Sequence, residues 1–263
     1  MDLQLKDKVV LVTASSKGLG KATALEFAKE GATVLLSSRN EETLARTVEE
    51  IKELTNNPNV HFKASDMSSP HDLNALFKWI SEEFSGVDIL INNTGGPTAG
   101  GFKDIADEDW MAAFEKNLLS YIRTTRSVLP NMQANDFGRI INISSSSTKE
   151  VIDGLILSNT FRSGMVGLTK SLAREYAKHN ILVNTIGPGR IATDRVAELD
   201  QIAADRQGVS IEDIIKTSEN LIPIGRYGQP EEFAKVVVFL ASPANTYMTG
   251  QSLIIDGGML KAL

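Results

Sequence analysis

The sequence predicts an α/β protein: one doubly wound parallel sheet with helices on both faces. Three observations predict it. Short β-branched apolar runs recur along the chain, and segments with apolar residues at helical spacing separate them. The glycines, serines and charged residues that attract attention sit just after those runs. Regular βα alternation of this kind implies parallel strands, whose ligands lie beyond their carboxyl ends.

Val9 to Thr13 is the first strand, apolar on both faces. A turn with Gly18 and Gly20 leads into a helix that stops at Gly31, and Thr33 to Ser38 is the second strand. Glu41 to Thr55 reads as an amphipathic helix and Val60 to Ala64 as a strand ending at Ser65-Asp66. Leu73, Leu76, Phe77, Ile80 and Phe84 repeat at helical spacing. Val87 to Ile91 is a strand that runs into Asn92-Asn93-Thr94-Gly95. One long helix is expected from Asp107 through Asn117 to Ala134. Arg139 to Ile143 is a strand ending in four serines, Ser144 to Ser147, of which Ser144, Ser146 and Ser147 read as partners for backbone groups at the strand end. A helix is expected from Ser158 to His179, with serine suited to its cap. Ile181 to Ile186 is a strand closed by Gly187-Pro188-Gly189, residues 192–222 are polar and helical, Pro230 opens a helix, and Ser252 to Ile255 is the last strand. No linker, repeat or low-complexity tract interrupts residues 1–263, so a single domain is expected.

Composition narrows the function. A net charge of −6 without a basic block argues against nucleic-acid binding. The absence of cysteine excludes disulfides and thiolate metal sites, and His61, His71 and His179 lack metal-ligand spacing, so no metal is expected. No run reaches the roughly 18 apolar residues that span a membrane. The N-terminal residues read as the start of a strand, not a signal peptide, and a cytoplasmic location is expected.

A glycine turn between strand and helix lets a pyrophosphate approach the backbone and the positive end of the helix. Where an NAD-specific site keeps an acid, about 20 residues past the glycines, this chain has Ser37-Ser38-Arg39. An arginine there suits a 2′-phosphate, and Lys17 in the turn offers a second positive charge. NADP(H) is therefore expected in preference to NAD(H).

Together these motifs resemble the short-chain dehydrogenase/reductase family over essentially the whole chain, and its 3-oxoacyl-acyl-carrier-protein reductases in Arg226 to Glu231 and in Gly250-Gln251 and Asp256-Gly257-Gly258. Thr13 to Gly20 resembles the family's TGxxxGxG turn, with Ala14 in place of the first glycine. Asn92 to Gly95 resembles its NNAG. The resemblance implies a Rossmann-type fold. It also implies a cofactor site of Thr13, Ser15, Lys17, Gly18, Leu19, Gly20, Ser38, Arg39, Asp66, Met67, Asn93, Gly95, Arg162, Pro188, Gly189 and Ile191. The catalytic set it implies is Asn117, Ser145, Ser158 and Arg162.

The last two residues depart from the family. Counting back from Gly167 to Glu175 puts its YxxxK tyrosine at Ser158 and its lysine at Arg162. Lys170 lies too far along to substitute. The two residues share one helix face. In the family the tyrosine protonates the carbonyl as hydride arrives, the lysine lowers its pKa and holds ribose, the serine orients the carbonyl and the asparagine supports a water relay. Serine is a far weaker acid than a phenol, and a guanidinium keeps its proton at neutral pH. The substitution leaves three readings. Arg162 and Ser145 stabilise the alkoxide while a water on Ser158 or Asn117 supplies the proton; the chain binds NADP(H) without turnover, as a sensor or scaffold; or the substrate brings its own acid. Tyr121 and Tyr176, placed on helices away from the pocket, are not expected to replace the missing phenol.

Residues 192–222 occupy the place of the family's substrate lid. Their charges, Asp194, Arg195, Asp200 and Asp205 among them, read as a solvated face, and apolar residues such as Val196, Leu199 and Ile202 as a surface that closes over substrate. The resemblance implies a small carbonyl or alcohol, or a 3-oxoacyl thioester, as substrate, and a homotetramer as the assembly.

Overall fold

Side chains alternate between the two faces of a strand, and β1 (Val9–Thr13) shows what this does here. Val10 and Val12 enter one core with Phe27, Val48 and Phe233, while Leu11 enters the other with Leu76, Leu90 and Met132. The computed structural model of the protein describes residues 1–262. Its sheet adds β2 (Thr33–Ser38), β3 (Val60–Ala64), β4 (Ile89–Asn92), β5 (Gly138–Ile143), β6 (Ile181–Pro188) and β7 (Ser252–Ile255). All neighbours are parallel, in the order β3-β2-β1-β4-β5-β6-β7. The order reverses between β1 and β4, which opens a crevice above their carboxyl ends.

Helices α1 (Gly18–Lys29), α2 (Glu41–Thr55) and α9 (Pro230–Ala241) cover the first core. α3 (Pro70–Glu83), α5 (Ser120–Ala134) and α6 (Ile156–Tyr176) cover the second. Side-chain caps begin several of them: Asn40 accepts from Thr43 N at 2.7 Å, and Ser69 from Asp72 N at 3.2 Å. α7 (Asp194–Gln207) and α8 (Ile211–Leu221) form the helical pair expected over 192–222, capped by Thr193 and Ser210. Among the described residues, no helix is long and apolar enough to cross a membrane.

Two expectations need correction. The helix through Asn117 is not uniform: α4 (Asp107–Phe114) passes through a π-helical turn at Glu115–Leu119 before α5 begins. Such a turn inserts a residue and rotates the next stretch of helix, and it places Asn117 against the loop after β4. Ser158 is not a cap either. α6 starts two residues earlier, after Leu155, and Ser158 lies inside its first turn.

Candidate cofactor and catalytic site

Beyond the strand ends lies a cleft of about 440 Å³, within the ~300–1,000 Å³ usual for small-molecule sites. The turn after β1 forms one wall. Ala14 adopts φ +46° and Gly18 φ +57°, the left-handed region that suits glycine. Gly20 is required by closeness: a Cβ there would lie 2.4 Å from Ala14 O and 2.9 Å from Asn93 Nδ2. No side chain caps α1, so its first amide groups remain available to an anion. Lys17, Gly18 and Leu19 line the cleft.

Thr13, Ser15 and Gly20 do not line it; they stand behind the wall. Thr13 Oγ1 donates to Asn93 O at 2.7 Å and accepts from Asn93 N at 2.8 Å, joining the ends of β1 and β4. Ser15 Oγ donates to Val12 O at 2.8 Å and accepts from Ser37 N at 3.0 Å. Thr13 and Ser15 shape the turn through these hydrogen bonds, and Gly20 through its close packing.

At one end, Ser38, Arg39, Asp66 and Met67 line the cleft. Burial pushes the Asp66 carboxyl up. Hydrogen bonds from Ser68 and the charge of Arg39 outweigh it and hold the group below its ordinary value. Arg39 has no ion-pair partner among the described residues. Lys17 has one: its ammonium lies 3.0 Å from Asp194 at the start of α7, with both side chains exposed.

Asn93 and Gly95 form part of the floor. Asn117 lies beneath it, fully buried, and does not line the cleft. Its Nδ2 donates to Thr94 Oγ1 at 2.8 Å and to Gly95 O at 2.9 Å. Asn117 Oδ1 has no partner among the described residues.

Ser145, Ser158 and Arg162 all line the cleft. Ser145 Oγ accepts from Ser147 N at 3.1 Å. The neighbouring serines do more than satisfy the strand end. Ser147 Oγ lies 3.3 Å from Ser158 Oγ, and the buried Ser144 Oγ has no partner among the described residues. Arg162 sits one turn beyond Ser158 on α6 and is 5% exposed. Its Nη1 donates to Ile143 O at 2.7 Å and to the Tyr121 hydroxyl at 3.2 Å. No tyrosine lines the cleft among the described residues. Tyr121 nevertheless stands nearer than its sequence position suggested, with its hydroxyl donating to Ile143 O at 2.9 Å behind Arg162. Lys170 is exposed, by Gly250.

Pro188, Gly189 and Ile191 continue the wall, and Val196 and Leu199 descend from α7. Ile202 is instead exposed. The charges of α7 are not one solvated face. Asp200 is buried, pairs with Arg190 and accepts from the Tyr227 hydroxyl at 3.0 Å. Arg195 Nη2 donates to Pro97 O at 2.8 Å, tying α7 to the loop after β4.

Sequence reasoning missed Lys116, Arg190 and Met259, which also line the cleft. Lys116 had one available signal, its place beside Asn117. Arg190 had its place beside Pro188-Gly189.

Residues 13–260 match a family model described as enoyl-(acyl carrier protein) reductase. The chain belongs to the short-chain dehydrogenase/reductase family. It is an oxidoreductase of that family. An uncharacterised oxidoreductase of Bacillus subtilis (strain 168) is 37% identical, over 100% of both chains. A 3-oxoacyl-[acyl-carrier-protein] reductase of Aquifex aeolicus (strain VF5) is 35% identical, over 98% of this chain and 100% of the relative. Among solved structures, the L-sorbose reductase of Gluconobacter frateurii, complexed with NADPH and L-sorbose, superposes with a TM-score of 0.94 at 32% identity, over 100% of both chains. The seven-stranded parallel sheet flanked by helices is the fold of a short-chain dehydrogenase/reductase.

Proposed function

We propose that this short-chain dehydrogenase/reductase interconverts a carbonyl and an alcohol with NADP(H), using an atypical proton-donor site at Ser158 and Arg162. One observation carries the reading: Ser158 and Arg162 share a face of α6 and line the same cleft as the glycine turn and Arg39, while no tyrosine lines it among the described residues.

The cradle suits a dinucleotide phosphate. Gly20 lets the turn after β1 pack closely against Asn93, α1 offers uncapped amide groups, and Arg39, where a 2′-phosphate would lie, has no ion-pair partner among the described residues. The bound cofactor supplies or accepts hydride. Ser145 orients the substrate oxygen. Arg162 is held by Ile143 O and Tyr121 OH, so its charge is preorganised toward oxyanion formation, often the largest single catalytic contribution. Ser158, paired with Ser147, holds the water that donates the proton. Asn117 supports that relay indirectly, by fixing the turn at Gly95.

The substrate is a small ketone, its alcohol, or a 3-oxoacyl thioester, and the names of the relatives support both classes. α7 and α8 close over it, with Val196 and Leu199 as the apolar lining. The proposed assembly is a homotetramer; a monomeric mass by light scattering would refute it.

The test follows NADPH oxidation against ketones, aldehydes and 3-oxoacyl thioesters, for the wild type and for Ser158→Tyr/Arg162→Lys. Turnover by the wild type supports the reading. A silent wild type beside an active double variant overturns it, because the scaffold would then be intact but lack its acid.

A further inference from the structure

The cation expected to assist Arg39, Lys17, is already engaged by Asp194 at the mouth of the cleft. Lys116 is differently placed. It is half-buried, lines the same cleft as Arg39 and Asp66, and has no ion-pair partner among the described residues. Its Nζ lies over the Gly95 turn, 3.2 Å from where a Cβ on Gly95 would stand. The adjacent Asn117 donates to Thr94 Oγ1 and to Gly95 O, so the backbone that carries Lys116 is tied to that turn.

Charged groups from four other segments act on this ammonium. Arg39 after β2, Arg195 on α7 and Arg162 on α6 oppose its charge, and only Asp66, after β3, favours it. Burial, the largest influence, opposes it too, and the group is held below the ordinary lysine value. An ammonium drawn from water into a ring of cations is costly without a counterion. None is in contact with it among the described residues, and the cleft is where one would bind.

We propose that Lys116 acts with Arg39 in binding the 2′-phosphate of NADP(H), and is the second cation that sets preference for it over NAD(H). The inference rests on the reading of the cleft as an NADP(H) site. A compact ammonium suits phosphate as a point charge, beside the planar fork of Arg39. The residue type at position 116 then becomes a determinant of specificity, along with the residue after β2.

The experiment titrates NADPH and NADH, by fluorescence, into the full chain as wild type, Lys116→Met and Lys116→Arg. Lys116→Met is expected to weaken NADPH roughly tenfold or more, the scale of one charge-assisted hydrogen bond, with NADH little changed. Retained NADH binding also shows that the variant is folded. Lys116→Arg is expected to keep most of the preference. Equal weakening of both cofactors, or no weakening of either, overturns the assignment of Lys116 and leaves the NADP(H) site standing. A wild type that binds neither cofactor overturns the proposed function and this inference with it.

Discussion

Replacing Arg162 with methionine removes a positive charge from the cleft and keeps an apolar stem in its place. In the wild type, Nη1 donates to Ile143 O at 2.7 Å and to the Tyr121 hydroxyl at 3.2 Å. The Tyr121 hydroxyl also donates to Ile143 O, at 2.9 Å. That carbonyl therefore keeps a donor after the substitution, and no buried acceptor is orphaned. The structural loss is the net worth of the hydrogen bonds, about 1–2 kcal/mol, and not a full desolvation penalty. Relief from burying a guanidinium offsets part of it. The melting temperature should fall by roughly 2–8 °C. The loss of rate should be larger, about 10²–10³ in kcat, as for removal of one oxyanion donor. A domain with ordinary stability of about 5–15 kcal/mol stays folded through the smaller change, so the two effects separate. The assay pairs a thermal melt with NADPH oxidation on the best wild-type substrate. A lowered melting temperature with unchanged kcat would refute the reasoning and make Arg162 a purely structural tie between α6 and β5.

Ala14→Gly should stabilise the protein. The left-handed conformation costs an L-residue about 1–2 kcal/mol, and the greater freedom of unfolded glycine returns about 0.5–1 kcal/mol, so a higher melting temperature is expected; a lower one would show that the methyl packs usefully. The exposed Arg226–Glu232 pair should leave an acid signature. Hydrogen bonds from Arg226 first, then from Gln229 N, hold the Glu232 carboxyl down at about 2. Its contribution is complete above the ordinary glutamate value and is lost as pH falls toward 2. The stability gap between wild type and Glu232→Gln, measured by denaturant melts across acid pH, should close over that window; a constant gap would contradict the assignment.

The strands and their parallel order were legible because each is a short apolar run and regular βα alternation leaves little topological choice. The strand ends announced the cleft for the same reason. The shared face of Ser158 and Arg162 was legible from helical period alone, and α6 carries both into the cleft. Where helical period is broken, it misleads. The π turn at Glu115–Leu119 has no local signature, and it sets the direction of Asn117. The serines after β5 look interchangeable in sequence, yet Ser145 lines the cleft, Ser147 meets Ser158 and Ser144 Oγ has no partner among the described residues.

By itself the sequence determined the doubly wound sheet, the glycine turn, the arginine after β2 and the presence of Ser158 and Arg162 one helical turn apart. These stem from residue type and period, which act over a few residues. Only the tertiary structure decided that Tyr121 stands behind Arg162, that Asp194 engages Lys17, that Asp200 is buried against Arg190 and Tyr227, and that Lys116 lines the cleft with no ion-pair partner among the described residues. Each of these depends on side chains from different segments meeting across the strand ends. Coulombic and hydrogen-bond energies depend on distance in space, and the residues that meet there can be more than a hundred apart along the chain, as Lys17 and Asp194 are.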